Sequence, residues 1–159
     1  SSVRETRSRV YLKRLENASD EDSCPYTWYA RGLISMSNSN WDQAKRDFQK
    51  SAAIWREEQE VFNESRSDLQ LAKAFANLGS EWDDRTEDLY TTCLTRFTNL
   101  EANLWVARTC HHYGIFLAEV DEMEEASQQH TRAANLYQKL GDTERSMRSR
   151  SLERQARRS

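Results

Sequence analysis

Residues 113–142 read YGIFLAEVDEMEEASQQHTRAANLYQKLGD, and their spacing decides the fold class. Val120, Asp121 and Glu122 separate two apolar-periodic runs, and Gly141 follows the second run where a left-handed helix cap belongs. The stretch therefore predicts two helices folded back on each other. In the second, Ala126, His130, Ala133, Tyr137 and Leu140 recur at steps of three or four and share one face, while Glu124, Glu125, Gln128 and Arg132 look outward. Gly114, Ala126 and Ala133 are small, and helices approach closely only where side chains are small.

The rest of the chain suits the same architecture. With 4 glycines and 1 proline in 159 residues there are too few turn formers for an all-β chain rich in hairpins. No apolar stretch approaches the roughly 20 residues that span a bilayer, and no signal-peptide pattern is present, so the chain is expected to be intracellular, cytoplasmic or nuclear, without membrane contact. Cys24, Cys93 and Cys110 are an odd number without paired spacing, which argues against a disulfide framework. Because Ser1 is not a methionine, the chain is expected to belong to a longer regulatory or assembly protein.

An earlier hairpin is read from Tyr26 onward. Trp28, Gly32, Ile34 and Met36 lie in its first helix, Ser37 to Asn40 make the turn, and Trp41, Ala44, Phe48, Ser51, Ala52 and Trp55 lie in its second. Asn40 is a good N-cap, with Gln43 placed to complete a capping box. A weaker copy lies between, with a first helix from Asp68 to Gly79 and Thr86, Tyr90 and Cys93 in the second. Ala44, Thr86 and Ala126 stand at equivalent places, which gives a period of 42 and then 40 residues.

These positions resemble the tetratricopeptide repeat family, which places a small residue in the first helix and alanine, a bulky residue and alanine in the second. Gly32, Ala44, Phe48 and Ser51 fill those places in one copy, and Gly114, Ala126, His130 and Ala133 in another. Ser51 replaces an alanine, His130 stands where an aromatic is usual, and Arg56 stands where the family has its terminal proline. The period exceeds the family's usual 34, as in the longer repeats of kinesin light chains and of helical arrays in signal-transducing ATPases. The resemblance covers roughly residues 26–142. It implies an all-α fold of antiparallel hairpins stacked as a right-handed superhelical solenoid. A single domain is expected over 1–159, with an N-terminal helix at 1–18, hairpins at 26–62, 65–98 and 101–141, and a basic capping helix at 143–158.

Chemistry is sparse in the sequence. Cys110, His111 and His112 are adjacent, but neighbours on a helix point about 100° apart and cannot converge on one ion. A zinc site would need His111 or His112 to meet His130 or Cys93 across hairpins. There is no nucleophile with a recognisable base and no glycine-rich phosphate loop. Paired acids such as Glu57 with Glu58 and Asp83 with Asp84 read as solvated helix faces. The expectation is a protein that is not an enzyme and has no metal or cofactor.

What remains is binding. By resemblance, the first helices line a concave groove that holds an extended peptide or a partner's helix. Its lining would be Tyr26, Tyr29, Leu33 and Met36, then Asp68, Leu71, Phe75 and Leu78, then Arg108, His111 and Ile115. Tyr29 and Leu33 stand where chaperone-tail binders of the family carry their lysine and asparagine clamp, which argues against that ligand. The expected partner is a protein segment with apolar and basic residues. Alternatively, a neighbouring domain or a second copy of the chain covers these residues, which would make the protein self-associate. Trp82, in the acidic turn EWDD, is either an exposed contact or a lid over the core.

Charge supplies the second reading. Residues 1–14 and 143–159 each carry about +4, so the remainder carries about −11 for the whole to reach −3. The chain also resembles the half-a-tetratricopeptide repeat of RNA-processing scaffolds, which favours an early tryptophan like Trp28 or Trp105 and would contact nucleic acid through the basic ends, but the acidic body would repel phosphates. Nucleic acid is therefore the less expected partner. Binding of RNA in a filter assay should be weak, salt-sensitive and lost when residues 143–159 are removed. Tight binding that survives the truncation would favour the RNA reading instead.

Overall fold

A computed structural model describes residues 24–159, and the helix expected over 1–18 lies outside them. The described residues form seven α-helices and a 3-10 turn, with no strand. They are α1 (Pro25–Ser37), α2 (Trp41–Glu57), α3 (Val61–Ala76), the 3-10 turn Ser80–Trp82, α4 (Asp83–Asn99), α5 (Asn103–Glu119), α6 (Met123–Lys139) and α7 (Thr143–Arg158). Two compact units divide the chain, one ending at Ala74 and the other running from Phe75 to Ser159.

Five of the connections are the same three-residue turn. Its middle residue is left-handed in each: Ser39, Gln59, Glu101, Asp121 and Gly141 have φ between 54° and 78°. The residue after it donates its N–H to the carbonyl five back, as Asn40 does to Ser35 at 2.8 Å and Glu122 to Leu117 at 2.8 Å. This is the Schellman cap, which satisfies carbonyls that a helix end would otherwise orphan. Such short links make successive helices antiparallel neighbours. Helices α4, α5 and α6 have 17 residues each and are followed by three-residue turns, so helices start at 83, 103, 123 and 143 and two make a repeat of 40. The step from Trp41 to Asp83 is 42, because the link from α3 to α4 is longer and contains Gly79 at φ 136° and the 3-10 turn.

In the first unit, a Cβ on Gly32 would come within 2.6 Å of the Phe48 ring, so α1 and α2 pack in the register read from the sequence. Ala44, Ala52 and Trp55 are buried beside them. Between α2 and α3 the core turns polar: Ser51 and Ser67 share a hydrogen bond of 2.9 Å, and the nearby Arg56 guanidinium pairs with buried Glu64 at 3.2 Å. Helix α3 begins at Val61, earlier than Asp68, and α2 ends at Glu57, short of residue 62. The polar stretch REEQE hides the stop, because Gln59 takes the left-handed turn without being glycine.

The second unit is more apolar. Tyr90 stacks on Tyr113 at 5.3 Å, and Phe97 on Trp105 at 5.7 Å. Phe75 stacks on Trp82 at 4.8 Å with the Arg85 guanidinium over both rings, so Trp82 closes its turn over the core. Gly114 repeats the role of Gly32, since a Cβ there would lie 2.6 Å from the His130 ring. His130, Ala126 and Ala133 are all buried.

Gly114→Ala should therefore destabilise the protein by about 1–3 kcal/mol in urea denaturation, through overpacking against His130. Asp121→Gly should do the opposite, gaining up to about 1 kcal/mol by relieving a left-handed L-residue. Unchanged midpoints for both would contradict the hairpin packing described.

Candidate functional site

The sequence places eleven residues on a binding face, and the structure treats them in three ways. On α1, Tyr26 and Leu33 are 51% and 42% exposed, and Tyr29 and Met36 are half-buried. Ile34, read from the sequence as a position of this helix but not as groove lining, is more exposed still at 61%. Neither tyrosine dangles. Tyr26 meets Trp55 edge-on at 5.0 Å, and Tyr29 meets Phe48 edge-on at 5.6 Å, accepts a 3.4 Å hydrogen bond from Gln70 and lies under Arg66. Both tyrosines are thus held in place by packed rings.

On α3 the expectation fails. Asp68, Leu71 and Phe75 are buried and offer no surface to a partner, while Leu78 is half-buried beyond the helix end. Glu64, Asp68, Leu71 and Phe75 recur at helical steps, and that whole stripe is buried. Asp68 cannot then supply a rim charge for a basic ligand.

On α5, Arg108, His111 and Ile115 are half-buried on one stripe. Arg108 lies 4.6 Å over the Trp105 ring. His111 reaches α7, its Nδ1 standing 3.3 Å from Ser149 Oγ, and its ring is 6.0 Å from that of His130. Ile115 enters the wall of a cavity of about 310 Å³ bounded by α5, α6 and α7. Ala118, Met123, Leu152 and Ala156 continue that wall, with His130 among them and Glu119 and Gln155 as polar neighbours. A second cleft of about 400 Å³ lies against α6 and is mixed in character, with Val106 and Leu136 beside Asn103, Thr131, Arg132 and Lys139 in its lining. No contiguous run of sequence announces either cavity.

His130 is the unusual member. Its ring is 1% exposed and its Nδ1 has no hydrogen-bond partner. Burial, aided by nearby His111 and opposed by Glu153, pulls its pKa down to about 4, so the imidazole is neutral at physiological pH. Cys110 is fully buried, and burial pushes its thiol up to about 11, so it is a packed apolar side chain and not a thiolate. Among the described residues, no three His, Cys, Asp or Glu side chains converge as metal ligands, and no helix is long and apolar enough to cross a membrane.

No family model and no curated protein matches the chain. Among solved structures, the crystal structure of BtubC (BKLC) from P. vanneervenii matches with a TM-score of 0.65. The match covers 96% of this chain and 72% of that one at 15% sequence identity. Similarity at that identity establishes a shared all-α fold built of consecutive helices.

The depressed pKa of His130 carries a sign. The unfolded state takes up a proton near pH 6.5 and the folded state only near 4, so stability from this residue is full above about 6.5 and is lost as pH falls to 4. Denaturation midpoints across that window should fall more steeply for the wild type than for His130→Phe. The difference is bounded by about 1.4 kcal/mol per pH unit, one proton's worth. Parallel curves would show that His130 ionises equally in both states.

Proposed function

We propose that this chain is a non-enzymatic binding module of the tetratricopeptide kind, which holds a segment of a partner protein against the exposed face of α1. The observation that carries the reading is on α1, where Tyr26 and Leu33 stay exposed beside half-buried Tyr29 and Met36. An ordered apolar face of that sort is what an interface presents before its partner arrives. Support for the family comes from the two glycine contacts, Gly32 with Phe48 and Gly114 with His130, from the repeat of 40 residues, and from the fold shared with BtubC. The partner's contribution is two or three apolar anchors, flanked by basic residues that suit the acidic body of about −11.

The RNA-scaffold reading is weaker. Four of the six arginines on α7 are already engaged: Arg145 with Asp142, Arg148 with Glu144, Arg157 with Glu153, and Arg150 with Asn135 and Gln138. Exposed pairs of this kind are weak, but they lower the charge available to phosphates.

A photo-crosslinking residue in place of Leu33, expressed in cells, should trap a protein adduct, and the same residue in place of Arg132 should not. Tyr26→Ala and Leu33→Ala should each weaken capture of that partner by about 1–3 kcal/mol while leaving the helical circular dichroism unchanged. Adducts at Arg132 with none at Leu33 would move the binding face elsewhere.

A further inference from the structure

We propose that the cleft against α6 binds a small organic phosphate monoester, its phosphate between Arg132 and Lys139 and its body against Val106 and Leu136. The cleft lies within the second unit alone, so its ligand is independent of whatever the α1 face holds. At about 400 Å³ it falls near the lower end of ligand pockets, which span roughly 300–1,000 Å³, and it therefore suits a small molecule.

Charge decides the ligand. Arg132 and Lys139 both line the cleft and stand two helical turns apart on α6, a rise of about 10 Å that two long side chains can close onto one group. Neither has an ion pair among the described residues. The positions one turn before and after Arg132 hold Gln128, Gln129, Asn135 and Leu136, none of them acidic, and Asp142, the acid nearest to Lys139 in sequence, is taken by Arg145 at 2.6 Å. No carboxylate lines the cleft, although acidic residues outnumber basic ones in the chain. Asn135, also in the lining, accepts from Arg150 Nη2 at 3.2 Å through its Oδ1, which leaves its amide N–H groups to donate. A carboxylate ligand brings one negative charge and leaves one of the two cations uncompensated. A phosphate monoester brings about −1.5 to −2 at pH 7 and three acceptor oxygens, enough for two cations and an amide. Inorganic phosphate has the charge but makes no use of Val106 and Leu136, so an organic body adds contact that the free ion lacks.

The probes are phenyl phosphate, benzoate and inorganic phosphate, each titrated into the full chain while backbone amide NMR shifts are followed. Phenyl phosphate should move the amides of Val106, Thr131, Asn135 and Lys139. It should bind about fivefold tighter than either of the others, because benzoate lacks the second charge and inorganic phosphate lacks the ring. Arg132→Gln and Lys139→Gln should each weaken it about fivefold, whereas Arg154→Gln, at an exposed cation on α7, should leave it unchanged. Equal affinities for phenyl phosphate and benzoate, or for phenyl phosphate and inorganic phosphate, would overturn the proposal. So would shifts centred outside the cleft, or undiminished binding by either glutamine variant at positions 132 and 139. A protein adduct trapped by the photo-crosslinking residue at position 132 would overturn it too, because the ligand of the cleft would then be a macromolecule. Adducts at Leu33 leave the cleft unaffected, since they report on the other unit.

Discussion

A ring seated on a glycine is the contact on which both clear hairpins depend. Phe48 sits on Gly32 and His130 on Gly114, each so close that a single added carbon would fall 2.6 Å from a ring atom. That approach sets how near the two helices of a hairpin lie, and the alanines twelve residues after each glycine, Ala44 and Ala126, are fully buried as a result. Where the ring is phenylalanine the contact is apolar throughout. Where it is imidazole, the same shape brings nitrogen into the core, and burial holds it neutral. The α5 and α6 hairpin therefore accepts a polar group at its tightest point, and that group lies in the wall of a cavity lined mostly by apolar side chains, with Glu119 and Gln155 among them.

The turns show how far helix length and packing can override local preference. Serine, glutamine, glutamate and aspartate all adopt the left-handed conformation that glycine takes at Gly141, although an L-residue there costs roughly 1–2 kcal/mol. The same two backbone hydrogen bonds close each turn. Successive helices that lie antiparallel leave three residues for each of these reversals, and the cap geometry is the same whichever side chain is present. A rule that looks for glycine finds one of these five helix ends.

That explains what could be read from the sequence. The hairpins around Gly32 and Gly114 were legible because small residues at fixed spacing have a steric meaning that survives without coordinates, and Trp41 to Asp83 to Met123 reproduces the steps of 42 and 40. The start of α3 was not legible, because Gln59 gives no sign of a turn. The exposure of the expected groove lining was half legible. Periodicity tells which residues share a side of a helix but not whether that side is covered, so Tyr26 and Leu33 emerged exposed while Asp68, Leu71 and Phe75 emerged buried by the same reasoning. The cavity was hidden because Ile115, Met123 and Leu152 belong to three helices, and its one signal was a histidine where an aromatic is usual.

The first unit buries several polar groups beside an apolar core that includes Trp28, Phe48, Trp55 and Leu69. Asp47 is buried with one carboxylate oxygen bonded to Gln43 at 2.9 Å and the other unpartnered, and Ser51, Ser67 and Glu64 are buried with it. Meanwhile Tyr26, Leu33 and Ile34 face solvent on α1. Hydrophobic residues make up only 37% of the chain. Placing three of the larger ones outside while carboxylates and hydroxyls go inside forgoes burial energy that a stability-driven arrangement would collect, on the order of 1.5–3 kcal/mol for each large apolar side chain. Polar contacts in the core give direction to the packing of α2 on α3, since hydrogen bonds tolerate fewer geometries than apolar contacts do. Hydrogen bonds and an ion pair thus orient α2 against α3, while Tyr26, Leu33 and Ile34 of α1 stay exposed among the described residues.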